Sequence, residues 1–77
     1  MEEILEELTF LLEDDDVPRN VRERVEKAIA FLKEKDSEQG LRANKALQQL
    51  DTLTEDPNIP SYLRPQIWNI VSQLETL

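Results

Sequence analysis

The 77-residue sequence contains no cysteine and no histidine. Without cysteine there is no disulfide framework, no thiolate zinc site and no thiol nucleophile. Without histidine the commonest general base and metal ligand is missing. A single glycine, Gly40, excludes every glycine-rich phosphate cradle. Aromatic residues are few: Phe10, Phe31, Tyr62 and Trp68. The apolar runs are too short to span a bilayer, and no basic stretch followed by an apolar one opens the chain. A cytoplasmic location is the expectation, and no membrane partner is expected.

The length bounds the answer further. A chain of 77 residues falls short of the roughly 100–150 typical of a domain, so one domain over 1–77 is expected. Leu, Ile, Val and Phe make up 23 residues. That is about 30%, above the roughly 20% below which charged chains stay disordered. The chain should fold.

Charge is unevenly placed. Residues 1–16 carry Glu2, Glu3, Glu6, Glu7, Glu13, Asp14, Asp15 and Asp16 with no Lys or Arg, which equals the whole net charge of −8. Residues 19–45 hold eight bases against five acids, and residues 46–77 hold one base, Arg64, against four acids. Acidic, basic, acidic is the pattern expected of neighbouring helices with complementary faces. It also suits an acidic first helix presented to a basic partner. A net-acidic protein is a poor ligand for nucleic acid, whose binding rests on Lys and Arg.

The hydrophobic period is helical throughout, and no segment alternates with period two. In residues 1–13 the stripe is Met1, Leu5, Leu8 and Leu12, flanked by Ile4 and Leu11. Asp14-Asp15-Asp16-Val17-Pro18 ends it, because proline biases the residue before it away from the helical region. Asn20 and Glu23 have capping-box spacing at the start of a second helix, with the stripe Val21, Val25, Ala28, Ile29 and Leu32. Lys33 and Lys35 then suit the negative end of its dipole. A third helix, which Asp36 or Ser37 can cap, packs through Ala43, Ala46, Leu47, Leu50 and Leu53. Glu55 to Pro60 ends it. Ser61 can cap a fourth, with the stripe Leu63, Ile67, Ile70, Val71 and Leu74, starting near Leu63 because of Pro65.

The halves repeat at an offset of 42 residues. Leu5/Leu47, Leu8/Leu50, Leu11/Leu53, Glu13/Glu55, Asp14/Asp56, Pro18/Pro60, Arg22/Arg64 and Leu32/Leu74 are identical pairs; Val17/Ile59, Val21/Leu63, Val25/Ile67 and Ile29/Val71 are apolar matches. Leucines on amphipathic helices match by chance, but Glu-Asp, Pro and Arg in register do not. Two helix–loop–helix hairpins, about 1–35 and 43–77, are predicted to close into an all-α, four-helix up-and-down bundle.

No catalytic constellation emerges. Glu13 to Asp16 could offer carboxylates to a hard cation, but the run lacks the glycine and twelfth-position glutamate of an EF-hand. The expected role of Asp14 and Asp56 is helix capping. Glu2/Glu6 and Glu3/Glu7 are pairs on a solvated face, and Ser37, Ser61 and Ser72 have no histidine and no nucleophile elbow. No enzyme, cofactor, metal or small-molecule substrate is expected. Arg19, Arg22, Arg24, Lys27 and Lys33 make a modest basic surface on the second helix. It gives an RNA-associated accessory role as the alternative, without interleaved aromatics to stack on bases.

The candidates for recognition are aromatic and arginine side chains, which are enriched at interface hot spots. Phe10 lies about 140° from Leu5 on a helical wheel, off the stripe. Phe31, Tyr62 and Trp68 also sit beside theirs; wrapping by neighbouring helices would place Phe31 and Trp68 in the core. Arg22 and Arg64 share a repeat position, where each can pair with a breaker acid, Asp14 or Asp56, or stand free for a partner. Phe10, Arg22, Arg64, Tyr62 and Trp68 are therefore the candidate interaction surface, for a protein partner or for a second copy of the chain as a homodimer.

Val17-Pro18-Arg19-Asn20-Val21-Arg22 and the closing Asp56-Pro57-Asn58-Ile59-Pro60 … Arg64 … Ile67-Trp68-Asn69-Ile70-Val71-Ser72-Gln73-Leu74-Glu75 resemble uncharacterised protein family 0147, small archaeal proteins, nearly end to end. Tyr62-Leu63 and Pro65 depart from the polar residues of that family's loop. The resemblance implies a four-helix bundle of the bromodomain-like group in an archaeal cytoplasm. It implies no activity and carries over no functional residues. The sequence thus points to a non-enzymatic helical module for protein–protein contact or self-association.

Overall fold

Each stripe read from the sequence becomes a helix. The computed structural model describes residues 2–77 and contains α1 (Glu2–Leu12), α2 (Arg19–Leu32), α3 (Gln39–Thr54) and α4 (Leu63–Glu75). Met1, placed by the sequence on the first stripe, lies outside the described residues. The first and third breaks hold prolines, Pro18 and Pro57 with Pro60, and the second, residues 33–38, is a charged turn without one. Pro18 is extended, with φ −60° and ψ 154°, immediately before α2. Pro65 is the third residue of α4, where its missing N–H has no intrahelical partner to lose.

Consecutive helices pack side by side, with α2 against α3 the most extensive contact, and α4 returns to α1. Among the described residues the diagonal pairs α1/α3 and α2/α4 do not approach within 8 Å between Cα atoms. This is a four-helix bundle. Its radius of gyration is 11.6 Å. A compact chain of this length should have about 11.5 Å, so the two hairpins close on each other and do not stack as an open solenoid.

The core is wholly apolar among the described residues, with no buried polar or charged residue. The α4 stripe, Leu63, Ile67, Ile70, Val71 and Leu74, is buried as predicted. So are Val21, Val25, Ala28 and Leu32 of α2 and Ala43, Ala46, Leu50 and Leu53 of α3, with Ile29 and Leu47 packed at the margin. Val17 and Ile59, the matched pair before the two prolines, seal the loop end. On α1 the buried face is rotated from the predicted one. Ile4, Leu8 and Leu11 are buried, while Leu5 and Leu12 are half-buried. Having α2 on one flank and α4 on the other centres the buried arc between them.

Helix ends are handled differently from the sequence reading. None of α2, α3 and α4 has a side-chain cap at its start. Asn20 and Glu23 form no capping box: Asn20 reaches Asp56, and Glu23 pairs with Arg19. The Ser37 hydroxyl bonds Glu34. The carboxylates of Asp14 and Asp56 accept the loop N–H groups of Asp16 and Asn58, at 2.9 and 2.8 Å, and cap no helix.

Arginines from the following helix bind the C-terminal ends instead. Arg22 donates to the carbonyls of Leu12 (2.7 Å) and Asp14 (3.1 Å), and Arg64 to those of Thr54 (3.4 Å) and Asp56 (2.9 Å). Arg42 reaches Leu32 at 3.0 Å. Each places a cation at the negative end of a helix dipole and satisfies orphan carbonyls there. Lys33, the C-cap residue of α2, and Lys35 beyond it stand near the negative end of that dipole as read from the sequence, with both side chains exposed.

Candidate interaction surface

The breaker acids do not form ion pairs with Arg22 and Arg64. Both guanidinium groups are part-buried and bonded to main-chain carbonyls, which corrects the expected carboxylate pairing and takes them away from a free pair for a partner. Three of the five bases of that second-helix surface have partners, while Lys27 and Lys33 are exposed. Arg19 bonds Glu23 (3.3 Å), Arg22 the α1 end, and Arg24 the Gln49 side chain (2.8 Å).

The expected charge complementarity between the first two helices does not appear as ion pairs. Among the described residues the salt bridges are Arg19–Glu23, within α2, and Lys45–Glu34. Among the described residues no carboxylate of residues 2–16 lies within 4.0 Å of a lysine or arginine nitrogen. The acidic side of α1 is left facing water.

Phe10 stands on that helix, 68% exposed. It borders a cleft of about 210 Å³ between α1 and α4, lined by Glu7, Phe10, Leu11, Gln66, Asn69 and Ile70. The cleft falls at the least extensive of the four helix contacts among the described residues, where a side-chain bond from Gln73 to Glu7, at 2.7 Å, spans the seam. Pockets for cofactors and drug-sized ligands run from about 300 Å³ upward. This one suits a side chain.

The other candidates lie elsewhere. Trp68, expected in the core, is 54% exposed. It sits about 130° round α4 from the edge formed by Gln66, Asn69 and Gln73, beyond the arc that a bundle helix buries. Tyr62 is 45% exposed in the loop before α4, where it bonds Asp14. Phe31 is half-buried, with the Lys45 ammonium 5.6 Å from its ring centre. The five predicted residues therefore do not meet in one patch: Phe10 belongs to the α1/α4 seam, Trp68 to the far flank of α4, and Tyr62, Arg22 and Arg64 to the loop end.

Sequence reasoning missed the α4 wall of the cleft. Its signal was there in Gln66, Asn69 and Gln73, a neutral polar row at i, i+3 and i+7 beside the apolar stripe. Exposed Leu41 and Leu77 were also passed over. Among the described residues no group of three or more acidic side chains is placed to hold a metal ion. Asp14 spends its carboxylate on Asp16 and Tyr62. No described helix is long and apolar enough to cross a membrane.

These features define a small all-α protein: a closed bundle with an apolar core, arginine-held helix ends and one acidic, aromatic-bearing helix. The chain belongs to the Uncharacterised protein family (UPF0147), whose model matches residues 1–77. It is 42% identical over 77 residues to the UPF0147 protein of Archaeoglobus fulgidus, covering 100% of this chain and 87% of that one. With the UPF0147 protein of Methanothermobacter thermautotrophicus it shares 36% identity over 74 residues, 96% of this chain and 72% of the relative.

Two solved structures share the fold. The crystal structure of MMP1188, a protein of unknown function, matches with a TM-score of 0.94 and 42% identity over 99% of this chain and 86% of that chain. The crystal structure of a protein of the same uncharacterised family from Thermoplasma acidophilum gives a TM-score of 0.93 and 34% identity over 99% and 89%. The family has no assigned function.

Proposed function

We propose that this protein works without catalysis, by binding another protein through the side of the bundle where α1 meets α4. The observation that carries the reading is Phe10, 68% exposed beside an apolar cleft of about 210 Å³. An aromatic ring left in water at the mouth of a small pocket is the arrangement of an interface anchor, where ring and pocket lose water together when a partner seats. The absence of histidine and cysteine from the sequence agrees with a binding role.

A second copy is a poor occupant of the same face. A two-fold interface brings a patch against itself, so the α1 glutamates would oppose one another. Sedimentation equilibrium over roughly 1–100 μM should show a monomer at low salt, where such repulsion is least screened.

The test is affinity capture from an extract of the source cells with the wild type, Phe10→Ala and, as a control on the opposite side, Lys27→Ala. A captured protein lost with Phe10→Ala and kept with Lys27→Ala supports the reading. Capture indifferent to Phe10 overturns it.

A further inference from the structure

We infer that the α1/α4 cleft receives a lysine- and arginine-rich segment of a protein partner, with one aliphatic side chain of that segment seated between Phe10 and Ile70. This rests on the docking face proposed above and names the chemistry of what docks there.

The charge on the two walls selects the partner. The α1 wall belongs to a stretch, residues 1–16, with eight acids and no base. Among the described residues none of those acids is ion-paired with a lysine or arginine; Lys33 lines the opposite flank of α1 with Glu2, Glu6 and Glu13. The α4 wall adds only the neutral amides Gln66 and Asn69. The single base of α4, Arg64, is turned to the carbonyls of Thr54 and Asp56 at the end of α3. The chain's other bases lie between residues 19 and 45, on α2, α3 and the loop that joins them. Of these, Arg22 meets only the C-terminal end of α1, through the carbonyls of Leu12 and Asp14, and Lys33 lies on the flank that carries Leu5, across the helix from Glu7.

Negative potential around a small apolar cleft raises the local concentration of cationic segments and repels acidic ones. The volume fixes the second half of the specification. About 210 Å³ admits a leucine-sized side chain and leaves no room for a nucleotide or other cofactor. Glu7, the carboxylate that lines the cleft, is half-buried, while Glu2, Glu3 and Glu6 on the rest of α1 are exposed. These carboxylates contribute steering and salt sensitivity, and the anchor contributes most of the affinity.

The experiment follows amide shifts of the ¹⁵N-labelled full chain titrated with three alanine-based peptides. One is rich in lysine and arginine with a central leucine; the second has serine in place of that leucine; the third keeps the leucine but has glutamine for every basic residue. The first peptide should shift the amides of Phe10, Leu11, Asn69 and Ile70. Its binding should weaken about tenfold between low and high salt, as expected for screened rim charges. It should also weaken about tenfold with the serine peptide, or with Phe10→Ala, as expected for a lost anchor. Circular dichroism of Phe10→Ala checks that the bundle is intact.

Equal binding of the glutamine peptide at the cleft overturns the basic partner and leaves the docking face standing. A basic peptide that binds equally well without leucine, or shifts amides outside the cleft, shows charge attraction alone and also overturns the inference. No cleft shift with any of the three peptides overturns both the inference and the docking face.

Discussion

Tyr62 donates its phenolic hydroxyl to the Asp14 carboxylate at 3.1 Å, joining loops 48 residues apart. The Asn20 amide makes the reciprocal bond to the Asp56 carboxylate at 2.9 Å. Asn20 and Tyr62 stand 42 positions apart, as do Asp14 and Asp56. Each hairpin thus gives one donor to the breaker acid of the other. The donors differ in kind, amide in one and phenol in the other, so the correspondence is absent from the identities that align the two halves.

The Tyr62 bond carries a pH dependence. Its pKa is raised by desolvation, by the hydrogen bond to Asp14 and by the negative charges of Asp14 and Asp16. The folded state therefore holds the phenolic proton more tightly than the unfolded chain, whose tyrosine titrates near about 10. This contribution is fully present below the unfolded pKa and is lost as pH rises through the folded one. Urea denaturation of the wild type should show a steeper loss of stability above about pH 10 than Tyr62→Phe. Parallel curves would contradict this.

Arg22→Ala and Arg64→Ala should each destabilise the bundle by about 1.5–3 kcal/mol, because each removes a charged donor from two carbonyls at a helix end. Lysine at either position should recover only part of the loss, since it lacks the forked guanidinium. Thermal denaturation gives the readout, at roughly 4–8 °C per kcal/mol for a domain of this size. Alanine variants with unchanged melting would mean that water serves these carbonyls equally well.

Leu8→Ala and Leu5→Ala separate the buried face of α1 from its flank. Leu8 is fully buried, and its loss should cost about 2–5 kcal/mol through transfer and cavity effects. Leu5, half-buried, should cost no more than about 1.5 kcal/mol in proportion to its smaller buried area. Chemical denaturation of both variants checks the order, and a larger effect at Leu5 would return α1 to the face read from the sequence.

Gly40→Ala should stabilise the protein. Gly40 lies in the first turn of α3 without positive φ, and a methyl group added there meets no atom within 4 Å. Alanine keeps the helical backbone and reduces the freedom of the unfolded chain, a gain of about 0.4–1 kcal/mol. A raised urea midpoint at unchanged slope is the expected result.

The four helices and their breaks were legible in residues 1–77 because both signals are local. A helical period shows within a dozen residues, and Pro18 and Pro60 act on their immediate neighbours. The aliphatic face of α4 was equally legible: Leu63, Ile67, Ile70, Val71 and Leu74 are all buried as the stripe predicts. On α1 the apolar residues Ile4, Leu5, Leu8, Leu11 and Leu12 cover a broad arc, and only the placement of α2 and α4 decided that Ile4, Leu8 and Leu11 go inside. Tertiary packing also chose the carbonyls for Arg22 and Arg64, Asp56 for Asn20, and solvent for Trp68. A polar or aromatic side chain at a helix flank has several partners of similar energy. Which one it meets depends on how distant segments come together, and the cleft beside Phe10 exists only once α4 has returned to α1.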